Sequence, residues 1–194
     1  ADRLEAHHAR HIVLDPVMVA TSGAKLIDDD AITALTERLF PLAEVITPNI
    51  PETEVLLDLI AHRGASLDPA KWAEDTDRES TRIVSDTAME DAGRTVSEHY
   101  GCAVLVKSGH GVADASDLLY ADGVATWIHG VRVDNPNTHG TGCTLSSAIA
   151  SNLAKGEALP DAIRHAKDYL TGALGAQLNL GHGSGPMDHA WHWR

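Results

Sequence analysis

The sequence predicts an α/β fold in which a mainly parallel central sheet carries helices on both faces. Three observations predict it. Short, continuous apolar runs without alternation recur along the chain, as buried parallel strands require. They alternate with stretches whose apolar residues repeat at helical spacing. The connections between them are long enough to hold a helix each, as parallel strands demand. With 194 residues the chain is long enough for one such domain, and it is read as a single domain over 1–194.

The elements follow in order. "HIVLDPVM" is a short strand that ends in an acid and a proline. "IDDDAITALTERLF" reads as a helix with Asp caps and an apolar face of Ile32, Leu35 and Leu39. "AEVITPN" is the next buried strand, and "PETEVLLDLIAH" starts a helix with proline in its first turn. Residues 63–84 are polar and charged, with Gly and Pro, and read as an insert or mobile loop. "SDTAMEDAGRTVSEHYG" is a helix capped by Ser or Asp, "CAVLVK" a third buried strand, and "SGHG" a turn. "DLLYADGVATWIHGVRVD" reads as two strands around an Asp-Gly turn, an antiparallel flap near the sheet edge. Two helices, 141–155 and 160–178, and an irregular tail, "GHGSGPMDHAWHWR", complete the chain.

Composition narrows the function. Lys plus Arg is 15 and Asp plus Glu is 28, so the net charge of −13 disfavours nucleic acid and anionic membrane as partners. No apolar run approaches the roughly 18 residues of a membrane span. Two cysteines, Cys102 and Cys143, make no disulfide framework and point to free thiols in a reducing cytoplasm. The twelve histidines show no zinc spacing, and Trp127, Trp191 and Trp193 read as packing or tail residues.

The most informative stretch is "NTHGTGC", residues 137–143, followed by Leu145, Ala148, Ile149 and Leu153 on one helical face. A glycine loop thus delivers a cysteine to a helix start, where free N–H groups and the helix dipole favour an anion, commonly phosphate. The same position favours a thiolate, although a bound phosphate would oppose that. Ligands of parallel sheets bind at the carboxyl ends of the strands. Those ends carry Asp15, then Thr47 and Asn49 with Glu52, then Lys107 with Gly109. Two carboxylates, a lysine and an anion nest suit a magnesium nucleotide and phosphoryl transfer. No GxxxxGK[ST] is present. Each residue also has a plainer reading. Asn49 and Glu52 suit a helix N-terminus, Asp15 suits a strand-end cap, Lys107 suits solvent, and a lone cysteine is often core.

"LDPVMVATSG", "VITPNIPETEVLL", "VLVKSGH" and "NTHGTGCTLSSAIASNLAKGEAL", in that order, closely resemble the hydroxymethylpyrimidine/phosphomethylpyrimidine kinases of thiamine biosynthesis, in the ribokinase-like superfamily. The resemblance runs from about Val13 to the "GHGSGP" tail. It implies phosphorylation of 4-amino-5-hydroxymethyl-2-methylpyrimidine and then of its monophosphate, with MgATP, in a cytoplasmic homodimer. It implies that Cys143 is the base and that the N–H groups of Gly140, Thr141, Gly142 and Cys143 form the anion hole. It implies Asp15 and Glu52 as metal-linked carboxylates, with Asn49 and Lys107 as nucleotide-phosphate contacts beside Thr47 and Gly109. Val17 and Met18 resemble part of the pyrimidine pocket. Whether a monovalent cation assists the anion loop is left open. "VKSGH" stands where the family usually has "VKGGH", and nothing before Val13 matches its "GSDPSGGAG"-like segment. An upstream segment with further pyrimidine contacts is therefore expected to be absent from the chain. A pyridoxine or pyridoxal kinase of the same superfamily and a non-catalytic nucleotide-binding module stand as alternatives.

Overall fold

The computed structural model describes residues 1–19, 26–61, 81–108, 115–135, 138–178, 180 and 185–193. Gly109 and most of the 63–84 insert lie outside them. The chain divides into two compact units, Ala1–Ser108 with Asp117–Trp127, and Gly109–Ser116 with Ile128–Arg194.

In the first unit, β1 (Val13–Leu14), β2 (Val45–Ile46) and β3 (Ala103–Val106) are parallel, with Leu14 opposite Ile46 and Ile46 opposite Val104. β4 (Asp117–Ala121) runs antiparallel to β3, with Leu105 opposite Leu119 and Val106 opposite Leu118. β5 (Val124–Ile128) follows, so the sheet order is β1-β2-β3-β4-β5. The sheet is mixed, with its parallel part first and the expected antiparallel flap at one edge. Asp122 and Gly123 both have positive φ (51° and 78°), the geometry of a two-residue turn that matches strand twist. Val45, Ile46, Val104, Leu105 and Val106 are all fully buried, as strands covered on both faces must be.

The helices of this unit are α1 (Asp2–Ala6), α2 (Asp29–Ala34), α3 (Ile50–Ala61) and α4 (Asp86–Tyr100). α4 packs against β3, β4 and α3. Ser85 caps it, its Oγ accepting from the Ala88 N–H at 3.1 Å, and Gly101 ends it in the left-handed conformation that glycine adopts freely. Two details of α2 differ from the sequence reading. Asp28 sits at the N-cap without a side-chain cap bond. The buried positions are Ile32, Thr36 and Phe40; of the expected face, Ile32 is in the core, Leu35 packs against it half-buried, and Leu39 gives way to Phe40. Residues Leu35–Leu39 form a π turn, which takes more residues per revolution and so carries the inward face from the seventh following residue to the eighth.

In the second unit, α5 (Thr141–Ala154) and α6 (Leu159–Gly175) pack closely. Leu145, Ile149 and Leu153 of α5 are buried, and so are Ala162, Ile163 and Ala166 of α6. Asn152 is also buried on α5, its Nδ2 donating to the Ala162 carbonyl at 3.1 Å. α6 ends three residues earlier than the sequence suggests. The tail is more ordered than its composition implies. Met187 and Asp188 are buried, the Asp188 N–H donates to the Ala173 carbonyl at 3.2 Å, and Trp191–Trp193 form a 3₁₀ turn. Trp191 lies flat on Gly172, where a Cβ would sit 2.1 Å from its ring, so only glycine fits beneath it. No helix among the described residues is long and apolar enough to cross a membrane.

Candidate active site

Parallel pairing brings the carboxyl ends of β1, β2 and β3 side by side, and with them three of the residues singled out above. Lys107 Nζ lies 2.7 Å from Asp15 Oδ1, and Thr47 Oγ1 donates to the same oxygen at 3.0 Å. The two charged side chains are only 15% and 12% exposed, so this pair is far less screened than a surface ion pair. Asn49 and Lys107 extend the β2–β3 pairing by one parallel bridge, and the Lys107 N–H donates to the Pro48 carbonyl at 2.9 Å.

Asn49 and Glu52 form a reciprocal cap on α3. Asn49 Oδ1 accepts from the Glu52 N–H at 2.8 Å, and Glu52 Oε2 accepts from the Asn49 N–H at 2.9 Å. The plainer reading of both residues is therefore correct as far as it goes. Glu52 does more than cap: its second oxygen, Oε1, accepts from the Met18 N–H at 3.1 Å, 34 residues away in sequence. It is buried, 2% exposed. Burial pushes its carboxyl above the ordinary range; the Asn49 N–H, the Lys107 charge and the Met18 N–H oppose that, and the charge of Asp15 adds to it. Met18 is fully buried in the apolar core, whereas Val17 beside it is half-exposed.

The second unit holds the glycine loop. Gly140 is the N-cap of α5 with φ of +82°, a conformation costly for any residue with a side chain. The Thr144 N–H donates to the Gly140 carbonyl at 2.9 Å, which starts the helix. The Thr141 N–H donates to the Thr138 carbonyl at 3.3 Å, while Gly142 and Cys143 have no backbone acceptor among the described residues. The four-amide anion hole read from the sequence is thus partly engaged internally before any ligand arrives. Cys143 is exposed, in contrast to Cys102, whose thiol burial pushes up to about 11. A groove of about 620 Å³ opens beside Cys143 and runs along Ser147 and Ser151 to Lys155, with Tyr169 and His189 on its other wall.

Within the first unit, then, there are two hydrogen-bonded sets, Asp15 with Thr47 and Lys107, and Glu52 with Asn49 and the Met18 backbone, joined by the Asn49–Lys107 backbone bridge; the second unit holds Gly140–Cys143 together on one turn. The donor set suits a hard cation: Asp15 commits Oδ1 to Lys107 and Thr47, and its Oδ2 accepts no hydrogen bond among the described residues. No group of three or more His, Cys, Asp or Glu that could hold a metal occurs among the described residues. The reading from sequence passed over Asp117, a buried carboxylate at the start of β4. The one signal for it was an acid directly before the apolar run "LLY".

Comparison with known proteins bears on the family and the fold. The sequence model described as phosphomethylpyrimidine kinase matches residues 1–76 and 74–188. A hydroxymethylpyrimidine/phosphomethylpyrimidine kinase of Haemophilus influenzae is 38% identical over 183 residues, which are 92% of this chain and 60% of that protein. The thiamine biosynthesis bifunctional protein ThiED of Geobacter sulfurreducens is 42% identical over 97% of this chain and 34% of its own length. The chain thus spans 60% and 34% of the length of these two relatives. Among solved structures, the ADP complex of Bacillus subtilis pyridoxal kinase superposes with a TM-score of 0.74 at 26% identity, over 99% of this chain and 64% of that one. The phosphomethylpyrimidine kinase of Clostridium difficile superposes with a TM-score of 0.64 at 30% identity, over 88% and 60%. The fold is ribokinase-like, and the chain belongs to the phosphomethylpyrimidine kinase family.

Proposed function

We propose that this chain is the working part of an ATP-dependent kinase that phosphorylates 4-amino-5-hydroxymethyl-2-methylpyrimidine and then its monophosphate, with both units belonging to one kinase domain. The observation that carries the reading is the glycine loop that presents an exposed Cys143 on the first turn of α5. Family membership says which alcohol to try first.

The residues divide the work. Cys143, as thiolate, accepts the proton of the hydroxymethyl group as that group's oxygen bonds to the γ-phosphorus of ATP, the β–γ bridging P–O bond breaks and ADP leaves. The N–H groups of Gly140, Thr141, Gly142 and Cys143 receive the charge that develops on the transferring phosphoryl oxygens; Thr141 does so by giving up its bond to Thr138. Lys107, Asn49, Thr47 and Gly109 hold the nucleotide phosphates. Asp15 and Glu52 are the carboxylates that would hold Mg²⁺, directly or through water, while Glu52 also holds the Asn49 amide. When bound, Mg²⁺ neutralises phosphate charge, and it usually keeps several waters and takes few carboxylates, which suits this sparse set. Val17 and Met18 border the pyrimidine. A cytoplasmic setting and a homodimer accompany the reading, as the family resemblance implies, and dependence on a monovalent cation is to be tested alongside magnesium.

The test is to incubate the purified chain with MgATP and either the hydroxymethylpyrimidine or pyridoxal, and to follow ADP and phosphorylated product. Product from the pyrimidine alone supports the reading. Product from pyridoxal alone supports the second reading, which the superposition on pyridoxal kinases favours. MgATP binding without product from either alcohol supports a nucleotide-binding module instead.

A further inference from the structure

We propose that Asp117 is a positioning residue for phosphoryl transfer, holding the backbone that presents Lys107. The inference rests on the proposed role of Lys107 at the nucleotide phosphates.

The antiparallel register of β3 and β4 pairs Val106 with Leu118 and stops there. Asp117 is the first residue of β4, and Ser108 is the residue that follows Lys107. At this point a side chain replaces the ladder: Asp117 Oδ1 accepts from the Ser108 N–H at 3.0 Å. Both residues are buried, Asp117 at 5% and Ser108 at 6% exposure. A buried carboxylate keeps its place only where its oxygens are held, and Oδ1 is held by the amide that follows Lys107. The neighbouring contacts fix the same stretch. On the other side of the same residue, the Lys107 N–H is held by the Pro48 carbonyl at 2.9 Å, and Lys107 bridges Asn49. Lys107 is therefore fixed both at its own amide and at the next one. Its flexible four-carbon stem then starts from a set origin, and the ammonium reaches Asp15 without a search through backbone conformations. A charge-assisted bond from a buried acceptor is the stronger kind, and it holds the strand end where ordinary sheet pairing has run out.

The test compares Asp117→Ala with Asp117→Asn, which keeps an acceptor oxygen in the same place. Both are measured for MgATP affinity by calorimetry, for the KM of each substrate, and for amide hydrogen exchange at Ser108. We expect Asp117→Ala to weaken MgATP about tenfold, to leave the KM of the alcohol within about twofold, and to speed exchange at Ser108. Asp117→Asn should restore both affinity and protection. Should the alanine variant not fold, Asp117→Ser draws the acceptor back from the Ser108 N–H by shortening the side chain while staying polar, and the same outcomes apply. A merely structural role would lower stability and leave MgATP affinity unchanged in the folded fraction. That result, or an asparagine variant as impaired as the alanine one, overturns the inference while the wild type still binds MgATP. A wild type that binds no MgATP overturns the proposed function and this inference together.

Discussion

The two units build their candidate site residues in opposite ways. In the first, the contacts are made across long stretches of chain: Asp15 meets Lys107 over 92 residues and Met18 meets Glu52 over 34. Most of these groups are buried or nearly so, and each is held by side-chain hydrogen bonds. In the second, the candidate residues are four consecutive positions on one helix start, with Cys143 exposed and the proposed anion hole made by backbone alone. The first kind depends on the fold around it and is disturbed through many partners. The second depends on local conformation, so its chemistry can be removed without loss of structure.

The largest expected effect tests that contrast directly. Cys143→Ser should lower turnover by about 10²–10⁴-fold, the usual cost of losing a base, with thermal midpoint and MgATP affinity nearly unchanged. Near-normal turnover would remove Cys143 from the role of base. Next in size is Lys107→Met in the first unit. It strips Asp15 of its cation and should weaken MgATP by about 10–100-fold, while also lowering stability. Because the pair acts as a unit, the double variant with Asp15→Asn should be more stable than Lys107→Met alone. Strict additivity would mean that the two residues are energetically independent.

Two glycines sharpen the comparison at a smaller scale. Gly172→Ala in the second unit places a methyl 2.1 Å from the Trp191 ring and should cost roughly 1–3 kcal/mol by displacing the tail. In a Trp191→Ala background the same substitution should cost almost nothing. Gly93→Ala in the first unit meets Leu118 Cδ2 at 3.3 Å, a side-chain tip that can shift. Its change should stay within about 1 kcal/mol, since alanine also favours the helix. Denaturant midpoints decide both; equal costs would mean that the tail yields as easily as the core.

The smallest effect is one of pH. Glu52 holds its proton to higher pH in the folded protein than in the unfolded chain, chiefly because it is buried. Its contribution to stability is therefore full below the unfolded pKa and falls as pH rises through the raised folded value. Glu52→Gln cannot titrate, so the stability advantage of wild type over this variant should shrink as pH rises above the ordinary carboxyl value of 4.5. A constant difference would show that the raised pKa has no thermodynamic weight.

What could be read from the chain follows the same division. The loop at 140–143 and the helix behind it were legible because glycine, cysteine and a stripe of Leu145, Ile149 and Leu153 are local signals. Asp15, Thr47 and Lys107 were found together because parallel strands end on one side of a sheet. Other features were not legible, because they depend on where distant backbone passes. Nothing near Glu52 reveals that its second oxygen meets Met18, and nothing near Ser108 reveals Asp117. The same holds for Trp191, whose glycine partner lies on another element. On α2 periodicity finds Ile32 and Leu35 but not Thr36 and Phe40, because it assumes a constant turn and a π turn at Leu35–Leu39 breaks that assumption.

The Asp15–Lys107 pair has one more consequence. Each charge is the other's counterion, so the resting protein is already neutral at this spot. An incoming phosphate alone would take Lys107 and strand a carboxylate; an incoming cation alone would take Asp15 and strand an ammonium. A metal–phosphate complex does neither, because it exchanges one ion pair for two matched ones. With Lys107 on phosphate and Asp15 on metal as proposed, the pair would act as a coincidence detector, favouring the two ligands together over either one alone.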